Sequence, residues 1–179
     1  MLRGEKVGLR ARTDADVEVL HAELAEDVAA WSRSEERPWR PTPKTKSPYA
    51  LGEPNERHES FSVVESASDE LAGIAVLWGI DTHNRTAHLG LALRPSFQGR
   101  GLGFDTVLTL NHYGFAVRGL RRLQLETLAD NIAMRKAAER AGYRLEGTLR
   151  QSAYVVGDLI DVVIYGQLAD EWQPPAHSR

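Results

Sequence analysis

The stretch Arg94-Pro95-Ser96-Phe97-Gln98-Gly99-Arg100-Gly101-Leu102-Gly103-Phe104 constrains this chain more than any other. An alternating apolar segment runs into it, and a helically spaced apolar segment runs out of it. Pro95 has no backbone N–H and fixes φ, so it ends a strand. Gly99, Gly101 and Gly103 fall at every second position. Glycine lets the backbone take positive φ and approach a ligand closely. The helix that begins there offers unpaired N–H groups and partial positive charge. Strand, glycine loop and helix N-terminus in that order suit a phosphate or pyrophosphate. A glycine-rich turn without a ligand is the alternative.

The flanking sequence predicts an α/β domain. Val7, Leu9 and Ala11 alternate with Gly8 and Arg10 as in a strand. Thr13 and Asp16 form a capping-box pattern, and Val17, Leu20, Leu24 and Val28 follow at helical spacing. From Ala29 to Ser60, Pro38, Pro41, Pro43, Pro48 and Pro54 break any long element, which leaves an irregular segment with a short helix. Phe61–Glu65, Leu71–Ile80 and Thr86–Arg94 read as strands. Gly103–Arg118 reads as a helix stopped by Gly119, with Phe104, Val107, Leu108 and Phe115 on one face. Leu123 and Leu125 mark another strand. Asn131–Ala141 reads as a helix ended by Gly142. Tyr143–Leu168 reads as a β-hairpin turning at Gly157-Asp158. This order implies a mixed sheet. A length of 179 residues fits one domain over residues 1–179.

Composition removes several classes. The chain has no cysteine, which excludes a disulfide scaffold and a cysteine nucleophile. Net charge is −3, so no overall field draws it to nucleic acid, and Arg118, Arg121 and Arg122 read as a solvated face. The longest apolar run, Leu71 to Ile80, is about half of what spans a bilayer, and the N-terminus shows no apolar signal core. The expectation is a cytoplasmic protein that binds neither membrane nor nucleic acid. His21, His58, His83, His88, His112 and His177 are scattered without metal-ligand spacing, and there is no Gly-x-Ser-x-Gly elbow.

The glycine loop lacks the Gly-Lys-Ser/Thr of a Walker loop. It also has Phe104 where a dinucleotide fingerprint needs glycine. What remains, Gln98-x-x-Gly101-x-Gly103 after a strand, resembles the acyl-CoA pyrophosphate loop of the GCN5-related N-acetyltransferase (GNAT) superfamily. Leu2 to Val7 resembles the first strand of the branch that includes ribosomal-protein alanine acetyltransferases. Asn131-Ile132-Ala133 through Glu139-Arg140-Ala141-Gly142-Tyr143 resembles that branch's second CoA motif. Leu145 to Arg150, Asp161 to Tyr165 and Glu171-Trp172 are similar to its C-terminal hairpin and tail.

That resemblance implies an α/β fold with a mixed, mostly antiparallel sheet of about seven strands and about four helices. It implies acetyl-CoA as acyl donor and an amine acceptor, a protein N-terminus or a small-molecule amine, with a homodimer as a possible assembly. The backbone of Leu91, Ala92 and Leu93 would pair with the pantetheine arm. The amides of Gln98, Gly99, Arg100, Gly101, Leu102, Gly103 and Phe104 would hold the pyrophosphate. Asn131 would hydrogen-bond pantetheine, and Arg135 and Lys136, with Arg100, would meet the adenosine phosphates; a solvated helix face is the alternative for Arg135 and Lys136. Many relatives carry a glutamate two residues before the glycine of this strand; here that position is His88, a base suited to neutral pH, with a satisfied structural histidine as the alternative. The family's usual acids, a tyrosine and a serine, are replaced by Ala138 and Met134. Trp31 and Trp39 in the proline-rich segment would line the acceptor side, or anchor the segment by packing. Glu35, Glu36, Glu53, Glu56 and Glu59 make that region acidic, which suits a cationic acceptor. A catalytically weak acyl-CoA-binding module and a longer acyl donor stay open.

Overall fold

The computed structural model describes residues 1–35, 38–53 and 55–174. Its strands are β1 (Leu2–Arg3), β2 (Val7–Arg10), β3 (His58–Glu65), β4 (Leu71–Asp81), β5 (Thr86–Leu93), β6 (Arg122–Leu128), β7 (Arg144–Val155) and β8 (Asp158–Leu168). They form one sheet in the order β1-β2-β3-β4-β5-β6-β8-β7. Every pair is antiparallel except β5 with β6. The α-helices are α1 (Asp14–Leu20), α2 (Val28–Ser34), α3 (Leu102–His112) and α4 (Ile132–Arg140). The mixed, mostly antiparallel sheet therefore holds. It has eight strands rather than about seven because Leu2 and Arg3 pair with Leu9 and Gly8 at the edge. Among the described residues no helix is long and apolar enough to cross a membrane.

The capping box at Thr13 forms: Asp16 N–H donates to Thr13 Oγ1 and Thr13 N–H to Asp16 Oδ2. Asp16 also receives Arg10 at 2.5 and 2.8 Å and Ser62 at 3.0 Å, which ties the helix start to β2 and β3. The predicted helix does not run through Val28. A π-helical turn over His21–Ala25 shifts the register, and Asp27 caps a new helix by accepting from Ala29 and Ala30. Val28 consequently leaves the apolar face and is 45% exposed. The helix predicted over Gly103–Arg118 likewise passes into a π-helical turn at Tyr113–Val117.

The hairpin turn lies one residue earlier than predicted. Val155 pairs with Asp158, so Val156 and Gly157 form the turn, at φ +46° and +103°. A two-residue turn matching the twist of its strands needs positive φ at both positions; Gly157 supplies it at either, and the Val155↔Asp158 pairing makes it the second, which leaves Val156 in the left-handed region that a β-branched side chain enters at a cost.

The two sheet faces have separate cores. Leu89, Leu102, Leu110, Leu123 and Leu125 belong to the main cluster, with Leu91 and Leu93 packed against it. Leu20, Leu24, Tyr49 and Ile74 form a second cluster, against which Ala92 packs. Alternation along β5 thus puts His88, Gly90 and Ala92 on the face away from α3.

Candidate active site

The sheet opens at its single parallel pair. β5 and β6 are in register only from Thr86↔Arg122 to Leu89↔Leu125. Beyond that, β5 stays with β4 through Leu93↔Gly73, and β6 stays with β8 through Leu128↔Val162. The segment Gly90–Leu93 therefore turns one backbone edge into a wedge between the strands. An extended ligand chain can add to such an edge as a strand does.

The glycine loop closes the same end of β5. Pro95–Phe97 form one 3-10 turn, and Gln98 Nε2 returns to the Leu93 carbonyl at 3.1 Å. Gly99 and Gly101 have φ of +75° and +81°, the left-handed region that side chains with a Cβ enter at a cost. Gly101 is the N-cap of α3. Among the described residues the N–H groups of Gly101, Leu102, Gly103 and Phe104 have no hydrogen-bond partner, as the first turn of a helix requires. A Cβ at Gly99 would meet nothing within 4 Å. These observations fit a pyrophosphate held by backbone amides.

The cations are distributed differently from the expectation. Arg100 lies over the Phe97 ring at 4.8 Å and pairs with Glu65 at 3.3 Å. Arg135 is engaged inside α4's own surroundings, with Nη1 on the Ala129 carbonyl at 2.9 Å and Nε 3.3 Å from the Tyr165 hydroxyl. Lys136 is exposed, with no partner among the described residues. Asn131 caps α4: Oδ1 accepts from Met134 N–H and Nδ2 donates to Thr127. Two cations that sequence reasoning missed do reach the loop. Lys6 Nζ stands 3.4 Å from the Arg100 carbonyl, and Arg140 lies 4.2 Å over the Phe104 ring. Nothing in the spacing signals Lys6, since it arrives from the opposite end of the chain. Arg118, Arg121 and Arg122 are each spent on a local partner, Glu59, the Asn84 carbonyl and Glu146.

On the opposite face, His88 stacks on Trp78 with centroids 4.2 Å apart and planes at 22°. Its Nδ1 faces Glu126 Oε1 at 3.6 Å, beyond hydrogen-bond length. Burial holds its proton affinity below the ordinary histidine value; Glu126 opposes that shift and Arg122 adds to it. Trp78 is 43% exposed, and a Cβ at Gly90 would lie 3.9 Å from its Nε1. The indole thus spans His88 and the start of the wedge. Sequence reasoning missed Trp78: the Asp81↔Thr86 pair alone counts to residue 79 opposite 88, and a register shift between Trp78 and Asp81 brings Trp78 there instead.

Trp31 and Trp39 flank shallow recesses beside Ala25, lined also by Pro38, Pro41, Thr42 and Pro48. Trp39 Nε1 donates to the Ala25 carbonyl at 2.8 Å, so it anchors the proline-rich segment to the end of the π-helical turn. α2 reaches towards the wedge through Arg33, 2.6 Å from Asp130. Of the acidic residues expected to attract a cation, Glu59 is paired with Arg118. Glu53 and Glu56 are exposed, and Glu36 lies outside the described residues, as does His177. The hydroxyls of Tyr143 and Tyr165 are engaged elsewhere: Tyr143 donates to Asn111 at 2.7 Å and Tyr165 to Glu139 at 2.8 Å, while Ala138 is fully buried.

A sheet split at one parallel pair, with a glycine loop at the end of the split, defines a class of α/β protein whose site lies between two strands. The chain belongs to the acetyltransferase (GNAT) domain family, whose model matches residues 6–144. It is 30% identical over 112 residues to the uncharacterized N-acetyltransferase p20 of Bacillus licheniformis, an alignment covering 63% of each chain. It is 32% identical over 102 residues to the ribosomal-protein-serine acetyltransferase of Escherichia coli (strain K12), covering 57% of each. The chain thus spans less than two thirds of the length of these curated relatives. The fold is shared with the spermidine N-acetyltransferase from Vibrio cholerae in complex with CoA and spermine, at a TM-score of 0.83 and 21% identity over 94% of this chain and 98% of that one.

Proposed function

We propose that residues 1–179 form a single N-acyltransferase domain that moves an acetyl group from acetyl-CoA to a primary amine. The observation that carries this reading is the meeting of two open hydrogen-bonding edges. The Gly90–Leu93 backbone, open but for the Leu93 carbonyl that accepts from Gln98, and the unpartnered amides from Gly101 to Phe104 follow one another along the same end of β5. An extended arm and a pyrophosphate, joined in one molecule, match both edges. The names of the relatives support amine acceptors: a ribosomal protein for one, spermine bound to another. Either class, a protein N-terminus or a polyamine-like small molecule, suits the site.

Acetyl-CoA supplies an activated thioester. Leu91, Ala92 and Leu93 bind its arm through the backbone, and the loop from Gln98 to Phe104 binds its phosphates, with Arg100, Lys136 and Asn131 at the edges of that track. Arg135 contributes through the Ala129 carbonyl, by holding the turn that carries Asn131. The acceptor nitrogen attacks only as a neutral amine. His88 is the base: it takes the amine's proton as the new C–N bond forms and the C–S bond breaks, and water protonates the departing thiolate. Trp31 and Trp39 shape the acceptor side through the segment they anchor. A homodimer is supported by the apolar exposure of the hairpin at Leu145, Tyr154 and Leu159.

A second reading, a CoA-binding module with weak turnover, draws on Met134 and Ala138 at the positions of the family's acids. Thiol release from acetyl-CoA across a panel of amines separates the two, and no cysteine of the chain disturbs a thiol reagent. Turnover with one amine class is the expected result. Binding without turnover favours the module, and absence of binding overturns both.

A further inference from the structure

Glu126 lies on β6 one residue past the last parallel pair, Leu89↔Leu125, at the mouth of the wedge. Its Oε1 stands 3.6 Å from His88 Nδ1. That nitrogen is buried and has no hydrogen-bond partner among the described residues. Glu126 is itself held. Gln124 Nε2 donates to the same Oε1 at 2.8 Å, and Arg122 Nη2 donates to Gln124 Oε1 at 3.1 Å. Arg122 is in turn fixed by two bonds to Glu146, at 2.7 and 2.5 Å. Across the ring, Trp78 sets the imidazole plane by stacking. A buried ring nitrogen, a carboxylate aimed at it and a relay that fixes the carboxylate are the parts of a base with its orienting group.

We propose that Glu126 is the positioning residue of His88, holding Nδ1 as the protonated nitrogen so that Nε2 keeps the lone pair that takes the amine's proton. The inference rests on the reading of His88 as the base. The 3.6 Å separation is about half an ångström beyond a hydrogen bond, a distance that a small side-chain rotation closes. The carboxylate also stabilises the imidazolium formed when the proton arrives. The groups facing the ring are few. From β4 it meets the uncharged Trp78, with His58 of β3 opposite that tryptophan in register. From β6 it meets Glu126 and Arg122, and their effects on the imidazole have opposite sign. β8 presents Gly166 opposite Gln124 and Ile164 opposite Glu126.

The test uses that opposition. Glu126→Gln and Arg122→Gln are compared by the rate–pH profile with an accepted amine, and by proton NMR titration of His88, whose resonance is identified by its loss in His88→Gln. Glu126→Gln is expected to move the acidic limb and the NMR midpoint to lower pH by about half a unit or more, and Arg122→Gln to move both upward. A group that only supports packing would lower the rate without moving either midpoint. Unmoved midpoints in Glu126→Gln, with the limb lost in His88→Gln, overturn the role of Glu126 alone. A limb that vanishes in Glu126→Gln makes Glu126 the base and also overturns the proposal. A limb retained in His88→Gln overturns the assignment of His88, and this inference with it.

Discussion

Asp105 is the fourth residue of α3, and the chain entering β2 is wound round its carboxylate. Oδ2 accepts from Lys6 N–H at 2.7 Å and Val7 N–H at 2.9 Å, and Oδ1 accepts from Glu5 N–H at 3.2 Å. Asp105 is 6% exposed and Val7 fully buried, whereas Glu5 and Lys6 are exposed. Asp105→Ala therefore leaves one amide buried without a partner, at about 1–3 kcal/mol, and hands the other two to water. Losing those two charge-assisted bonds adds about 1 kcal/mol in total, giving about 2–4 kcal/mol. For a domain of this length that lowers Tm by about 4–16 °C. Asp105→Asn keeps one oxygen for Lys6 and Val7 and turns an NH2 towards Glu5, so it should cost about 1 kcal/mol. Urea denaturation of the three proteins measures both differences. An Ala variant within about 1 kcal/mol of the parent, or an Asn variant as unstable as the Ala variant, would refute the reasoning.

Asp16 gives a pH dependence. Burial alone would push its carboxyl up, but bonds from Arg10, the Thr13 backbone and Ser62 hold it well below the usual carboxylate range. A folded-state value below the unfolded one means stability that is present above about pH 4 and lost as pH falls below it. Asp16→Asn should be less stable at pH 7 and show a smaller drop between pH 4 and 2.5 by urea midpoint; equal drops would count against this account. Tyr143→Phe removes the hydroxyl that donates to Asn111 Oδ1, inside a buried chain that continues from Asn111 to Gln167 at 2.8 Å and on to the Ala141 carbonyl at 2.9 Å. The stranded Asn111 oxygen should cost about 1–3 kcal/mol in the same assay, and an unchanged midpoint would show the chain to be dispensable.

Elements whose signal is local were legible. The capping box at Thr13, the strand before Pro95, the glycine-capped start of α3 and the Asn131 cap all lie within a few residues of the feature that produces them. The π-helical turn at His21–Ala25 was not legible, because it preserves an apolar face while changing which residues occupy it; Val28 fits helical spacing and is exposed all the same. The hairpin turn was misplaced by one residue because Gly157 fits either turn position, and only the Val155↔Asp158 pairing decides between them.

The site was legible on one arm of the wedge and hidden on the other. β5 and its loop are continuous in sequence, so a motif can describe them. β6 lies beside β5 in parallel, a pairing that needs the whole of α3 as its crossover; the alternation along β6 fixes which residues share a face, but not which residue of β5 each one meets. That register carries the chemistry: with Leu89 opposite Leu125, His88 and Glu126 fall on the same sheet face within reach of each other. A shift by one residue would send Glu126 to the apolar face, where Leu123 and Leu125 pack, and an ionised carboxylate could not stay there unpaired. The alternation Leu123-Gln124-Leu125-Glu126 thus protects the register that the site depends on. The burial that locks β6 in place and the carboxylate that faces His88 are two faces of one strand.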